Sequence, residues 1–275
     1  TVQTAFSCPK GNGPGEMFSC ALGLHSNASD NFYLQDSNSK TCYIVDLKTL
    51  LNSRRFVPDE QFRYSSEVLP TSDLCLLDDN RYIGYHMWYL DDKQFSKVDS
   101  PLGYYQKGED SGKGMDDFPF FVASVNGARL FKNPQTQELW TADMHRDAIR
   151  IYNDSLKQIR ELVGPDHFSP EYTRRQIDAP VAFVTFADEC DYQAYTDYYI
   201  TDKHIYLLYE GNKHFDMKNL SPVEIFKLDF DGNLLCNYKP DRYVYSISIN
   251  RKEDTLYCAS RSSVMEPPVI LKYKL

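Results

Sequence analysis

Short apolar runs of about five or six residues recur along the chain, and clusters of Asp, Asn, Gly and Ser separate them. Long helical periodicity is hard to find. Runs of this length bounded by turn residues predict strands, and their regular return predicts a repeat architecture. One unit recurs: an apolar strand, a tight turn, a second strand carrying an aromatic, a loop, and a third strand ending in an acidic turn.

The first unit covers residues 17–22, 31–36 and 42–47. The second covers 73–77 and 81–86, with a weaker third strand near Phe95. The third, the clearest, covers 138–143 and 148–154, and the fourth 204–210 and 223–229. The last covers 245–249, 255–260 and 269–273. A small twisted sheet must bury both faces against neighbours, so a row of such units predicts an all-β fold, a β-propeller of four-stranded blades. Five blades are countable, and residues 1–275 read as one propeller domain. Residues 1–9 read as a lone strand whose pairing with the last unit would close the ring and remove exposed edges. Residues 107–120 and 187–203 read as long insertions, the second carrying Tyr192, Tyr195, Tyr198 and Tyr199.

Composition narrows the partners. Aromatic residues make up 14% of the chain and 21 of them are Tyr, which suits pleated sheets and also ligand-binding faces. The net charge is −9. The basic doublets Arg54-Arg55 and Arg174-Arg175 form no stripe, so nucleic acid is not an expected partner. No run of 18 apolar residues exists, hence no transmembrane segment is expected. The start at Thr1 falls inside an apparent strand without a signal peptide, as expected of a mature or truncated form. Seven cysteines at no metal-binding spacing read as small buried hydrophobes, with one disulfide pair left open.

Searches for contiguous catalytic motifs find neither Gly-x-Ser-x-Gly nor His-Glu-x-x-His, and no catalytic residue is predicted. Asp229 to Asn233 resembles half a calcium loop but fits a hairpin turn better. More informative is the end of each second strand, which carries a polar residue: Asp36, His86, Asp143, Glu210 and Ser260. Propellers bind ligands where such ends converge, with Arg81, Arg146 and Arg261 nearby. The candidate ligand-binding residues are therefore Arg81, His86, Asp143, Arg146, Tyr195, Glu210 and Arg261. A calcium ion could sit among Asp36, Asp143 and Glu210. The competing reading is that these acids satisfy the backbone of the turn that follows.

The segment Gly11-Asn12-Gly13-Pro14-Gly15-Glu16-Met17 resembles the Gly-x-Gly-Pro-Gly-Glu-Phe turn of TolB-like six-bladed β-propeller proteins of Bacteroidetes, with Met17 in place of Phe. Residues 139–143 and 151–156 resemble that family's blade consensus, as does the turn Val163-Gly164-Pro165-Asp166-His167-Phe168. In the family a full blade precedes the glycine-rich turn. Here one strand does, which leaves five blades, or six with the first truncated. The resemblance implies an exported protein, periplasmic or anchored as an outer-membrane lipoprotein. The expected function is a non-enzymatic cell-envelope binding or scaffold protein, a monomer whose partner is a small molecule, a glycan, a peptide or another envelope protein. The alternative is a calcium-dependent hydrolase or lactonase with the metal at the central channel.

Overall fold

A computed structural model describes residues 10, 11, 13, 16–18, 31–36, 38–53, 56–64, 73–76, 82–85, 95–97, 127–170, 172–178, 181–186, 192–213, 220–263 and 266–275. The chain divides into two compact units, Thr1–Tyr105 and Gln106–Leu275. The expected strand of residues 1–9, its pairing with the last unit, and the insertion at 107–120 lie outside the described residues.

In the first unit β1 (Asn31–Asp36) pairs with β2 (Thr41–Asp46), which pairs in turn with β3 (Glu60–Arg63). Leu47, read from sequence as the end of a strand, instead opens the helix α1 (Leu47–Ser53). The cause is local. The Asp46 carboxylate accepts the Thr49 N–H at 2.7 Å, an N-cap that satisfies one of the free donors of the first turn. A second sheet follows from β4 (Leu74–Leu76), β5 (Tyr82–Tyr85) and β6 (Phe95–Lys97). Between the two sheets Phe62 stacks on Tyr82 at 5.6 Å and Tyr64 meets it edge-on at 6.3 Å. Offset and edge-to-face pairs of this kind add to the stabilisation from burial alone.

The second unit opens with a four-stranded sheet of β7 (Ala128–Lys132), β8 (Leu139–Asp143), β9 (Ala148–Tyr152) and β10 (Gln158–Val163), paired in that order. A hairpin of β11 (Tyr172–Asp178) and β12 (Val181–Phe186) comes next. A second four-stranded sheet consists of β13 (Tyr192–Ile200), β14 (Ile205–Lys213), β15 (Glu224–Leu228) and β16 (Leu234–Tyr238). The chain ends in β17 (Val244–Ile249), β18 (Thr255–Ser260) and β19 (Val269–Lys274).

Side chains of β14 alternate between two cores, as the period of two along a strand requires. Ile205, Leu207 and Tyr209 pack toward β7–β10, while Tyr206 and Leu208 pack toward β17–β19. All five are almost fully buried, each contributing on the order of 1.5–3 kcal/mol of hydrophobic stabilisation. A sheet buried on both faces is how a propeller blade meets its neighbours, and the fold is nearly all-β with antiparallel sheets of three or four strands. Strand β13 touches β7 on one side and β17 on the other, so the three sheets stand side by side. Among the described residues, five sheets of three or four strands overlap the five units read from sequence, and the β11–β12 hairpin is a sixth, two-stranded sheet that the units did not include.

One expectation is corrected. Residues 192–200 are a nine-residue strand at one edge of its sheet and not part of a loop. Two register shifts, between Gln193 and Tyr195 and between Tyr195 and Asp197, interrupt the alternation by which a strand is recognised.

Candidate functional site

Of the expected site residues, Arg81 and His86 lie outside the described residues. Asp143 and Arg146 are brought together. Asp143 ends β8 and is 1% exposed, with Arg146 3.9 Å from its Oδ2. The tighter partner was not anticipated: Arg150 on β9 donates from Nη1 to the same oxygen at 2.6 Å and from Nε to Glu161 at 2.9 Å. Charge-assisted bonds in a buried setting are strong, and they direct Asp143 inward along its own blade.

Asp147, four residues on, holds a turn together. Its Oδ2 accepts the N–H groups of Asp166 and His167 at 2.6 and 2.8 Å, and its Oδ1 accepts the Tyr195 hydroxyl proton at 3.2 Å. Asp166 in turn accepts from the Tyr209 hydroxyl at 2.7 Å. The backbone closes the same arrangement, with Gly164 N–H donating to the Asp147 carbonyl at 3.1 Å. Glycine is required at 164 because a Cβ there would stand 1.9 Å from Asp147 Oδ1. The turn Gly164-Pro165-Asp166 is thereby fixed between two sheets. Tyr195 is a buried member of this arrangement, and burial pushes its hydroxyl pKa up.

Glu210 accepts from the Tyr243 hydroxyl at 3.3 Å, and burial raises its pKa above the ordinary carboxylate range. Ser260 donates to the Tyr243 carbonyl at 2.7 Å. Arg261 lies 5.3 Å from the centre of the Tyr245 ring. In the first unit Asp36 accepts the N–H groups of Phe18, Asn38 and Ser39 at 2.9, 3.0 and 3.2 Å. Asp36 thus caps the turn after its strand, as the competing reading held. The three acids weighed as calcium ligands divide between the units, Asp36 in the first, Asp143 and Glu210 in the second. Among the described residues no three His, Cys, Asp or Glu side chains stand close enough to share a metal ion. Cys42, Cys236 and Cys258 carry thiols outside any disulfide, and burial pushes that of Cys42 up to about 12.

Sequence reasoning missed a cleft of about 960 Å³ within the first unit. Its walls come from three separate stretches: the glycine-rich turn, the β1–β2 hairpin, and residues 56–63 leading into β3. The turn is closed on itself, with Gly13 N–H donating to Glu16 Oε2 at 2.8 Å and Gly11 N–H to the Met17 carbonyl at 3.2 Å. A Cβ on Gly11 would meet the Glu16 carboxylate at 2.0 Å, so a side chain there would push Glu16 away from its bond to Gly13. Tyr43 and Phe56 form an aromatic wall, edge to face at 5.5 Å. Glu16, Asp36, Asp59 and Glu60 bring carboxylates and Arg63 a guanidinium. Such a mixture of ring faces and convergent polar groups is what small-molecule sites are made of.

Three solved structures similar to this chain come from Bacteroides. A member of the DUF4221 family from Bacteroides vulgatus ATCC 8482 superposes with a TM-score of 0.54 at 9% identity, over 97% of this chain and 82% of that one. A protein described as exported, from Bacteroides fragilis NCTC 9343, gives 0.46 at 12% identity over 92% and 69%. The extracellular domain of a hybrid two-component system from B. thetaiotaomicron gives 0.44 at 11% over 88% and 26%. No curated protein matches the sequence. Among the described residues no helix is long and apolar enough to cross a membrane. The sheets packed face to face, the glycine-rich turn locked by Glu16, and a family model matching residues 4–252 lead to one assignment: the chain belongs to the TolB-like six-bladed propeller-like family.

Proposed function

We propose that the protein is a non-enzymatic binding protein of the cell envelope, and that the cleft of the first unit is where it holds its ligand. The observation that carries this reading is the cleft itself. It is open, of a size that suits a ligand of several functional groups, and lined by Tyr43 and Phe56 alongside carboxylates. Support also comes from the polar residues at the strand ends. Asp143 is engaged by Arg150, Asp147 by the turn at 164–168, and Glu210 by Tyr243, so each serves the fold. Placement at the envelope follows the habit of the family, whose members are typically exported and often lipid-anchored.

The test is titration calorimetry of the purified chain with three probes: maltotriose, a trilysine peptide and a triglutamate peptide. Saturable binding of at least one, abolished by Tyr43→Ala with the circular dichroism spectrum retained, is the expected result. Failure of all three to bind, or binding indifferent to Tyr43→Ala, overturns the reading.

A further inference from the structure

From the charge and shape of the same cleft we infer that it receives the ammonium or guanidinium group of an extended basic peptide. This rests on the cleft being the ligand site and adds the chemical class of what enters it.

Four carboxylates, Glu16, Asp36, Asp59 and Glu60, line the cleft against one guanidinium, that of Arg63. Their availability differs. Both oxygens of Asp36 are taken by backbone N–H groups and serve the turn. Glu16 and Asp59 each give one oxygen to the backbone, to Gly13 N–H at 2.8 Å and Asp46 N–H at 2.6 Å. Among the described residues, those bonds leave Glu16 Oε1 and Asp59 Oδ1 without a backbone donor. Glu60 is exposed and has no hydrogen-bond or ion-pair partner among the described residues. Carboxylate oxygens in this state accept from a cationic donor more strongly than from a neutral hydroxyl.

The ring of Tyr43 adds a second reason, since a cation near an aromatic face is attracted by its quadrupole. The same unit already pairs cations with rings: Lys10 lies 5.2 Å from the centre of Phe18 and Lys40 5.7 Å from that of Tyr64. An anionic ligand would meet an excess of negative charge on the walls and on the chain as a whole, whose net charge is −9. A volume of about 960 Å³ exceeds what one amine fills and accommodates a few residues of peptide. β3, at the end of its sheet, also offers backbone groups along which an extended segment can run.

The test uses two variants with opposite expected signs. Glu60 and Arg63 are both exposed and neither has a partner among the described residues, so replacing them leaves the fold intact. In titrations at low salt with trilysine as the probe, Glu60→Lys weakens binding about ten-fold and Arg63→Glu strengthens it by a similar factor. A control variant, Asp231→Lys in an exposed turn of the second unit, makes the same change in net charge and leaves binding unchanged. Spermidine separates the two sources of the same chemistry. Trilysine binding well above spermidine is expected, and the reverse order would overturn the peptide in favour of a free polyamine. Equal weakening by Asp231→Lys reduces the effect to overall charge and overturns the inference. Binding of maltotriose or triglutamate in place of trilysine overturns the cationic class while the cleft remains the ligand site. Binding of none of these probes overturns both.

Discussion

Glu253, in the turn between β17 and β18, places its Oε2 2.6 Å from Nδ1 of His204, in the turn between β13 and β14. The contact joins two neighbouring sheets at their turns. Thr201 donates to the other oxygen of Glu253, and Tyr206 and Lys227 approach the first at 3.3 and 3.4 Å. Burial alone would raise the pKa of this carboxyl, yet the hydrogen bonds from Thr201 and His204 hold it below the ordinary glutamate range.

A depressed carboxyl pKa stabilises the fold above the unfolded value, about 4.3 for Glu, and the stabilisation is lost as pH falls through the folded value. Glu253→Gln should therefore lower stability at pH 7 by about 1–3 kcal/mol, the cost of weakening a set of charge-assisted bonds. Urea midpoints of the variant and the parent should converge on acidification below about pH 4. A gap that stays constant from pH 7 to pH 3 would show that the charge of Glu253 contributes nothing.

The Asp147 arrangement separates two roles for Tyr195. Tyr195→Phe keeps the ring in the core but removes the hydrogen bond to Asp147, and a loss of about 1 kcal/mol is expected in chemical denaturation. Gly164→Ala drives a methyl into the Asp147 carboxylate and should cost more, about 1–3 kcal/mol, as overpacking does. Both variants should bind trilysine as the parent does, because neither residue lines the cleft. Loss of binding in Tyr195→Phe with the fold intact would return Tyr195 to the ligand site.

Arg150 and Asp143 test how the buried charges are balanced. Arg150→Met removes the 2.6 Å partner of buried Asp143 and leaves Arg146 at 3.9 Å, and an expected loss of about 3–5 kcal/mol follows. Replacing the whole triad, as Asp143→Leu with Arg146→Met and Arg150→Met, should recover most of that loss, since well-packed apolar groups often match buried ion pairs. A triple variant no more stable than Arg150→Met alone would mean that these residues organise the blade in ways their charges do not explain.

Strand β14 was legible because its alternation survived intact. In β14 the two faces separate cleanly at residues 205–209, and the sequence marks that strand without help. In β13 two register shifts break the period, and Gln193 and Asp197 then read as loop residues. The acid that clamps the turn at 164–168 was not read from the sequence. Asp143 ends the strand, but Asp147 is the one whose carboxylate reaches the N–H groups of Asp166 and Asp166's neighbour His167. A signal existed in Gly164-Pro165-Asp166, because a tight turn of that composition leaves backbone donors that some acceptor must satisfy. The cleft left no such signal. Its walls come from the glycine-rich turn, the β1–β2 hairpin and residues 56–63, and only folding places them together.

Asp197 offers a prediction of the opposite sign to Glu253. It sits half-buried on β13 and accepts the Ile247 N–H of β17 at 2.8 Å. Arg129 of β7 donates to the neighbouring Thr196 carbonyl at 2.7 Å, so three sheets meet at this point. Burial raises the pKa of Asp197, and the hydrogen bonds and the Arg129 charge offset this only in part. A carboxyl with a raised folded pKa costs nothing below the unfolded value, about 3.9, where both states are protonated. As pH rises through the interval up to the folded value, the unfolded chain ionises first and stability falls. Above the folded value the full penalty applies. Asp197→Asn keeps an oxygen to accept from Ile247 but cannot ionise, so its stability relative to the parent should improve with pH across that interval and then level off. Denaturation midpoints of the two proteins, measured in steps from pH 3 to pH 8, give the difference directly, and they isolate Asp197 from Glu210, whose raised pKa is common to both. A difference that is flat with pH, or that favours the parent increasingly as pH rises, would mean that Arg129 and the hydrogen bonds outweigh burial at this junction.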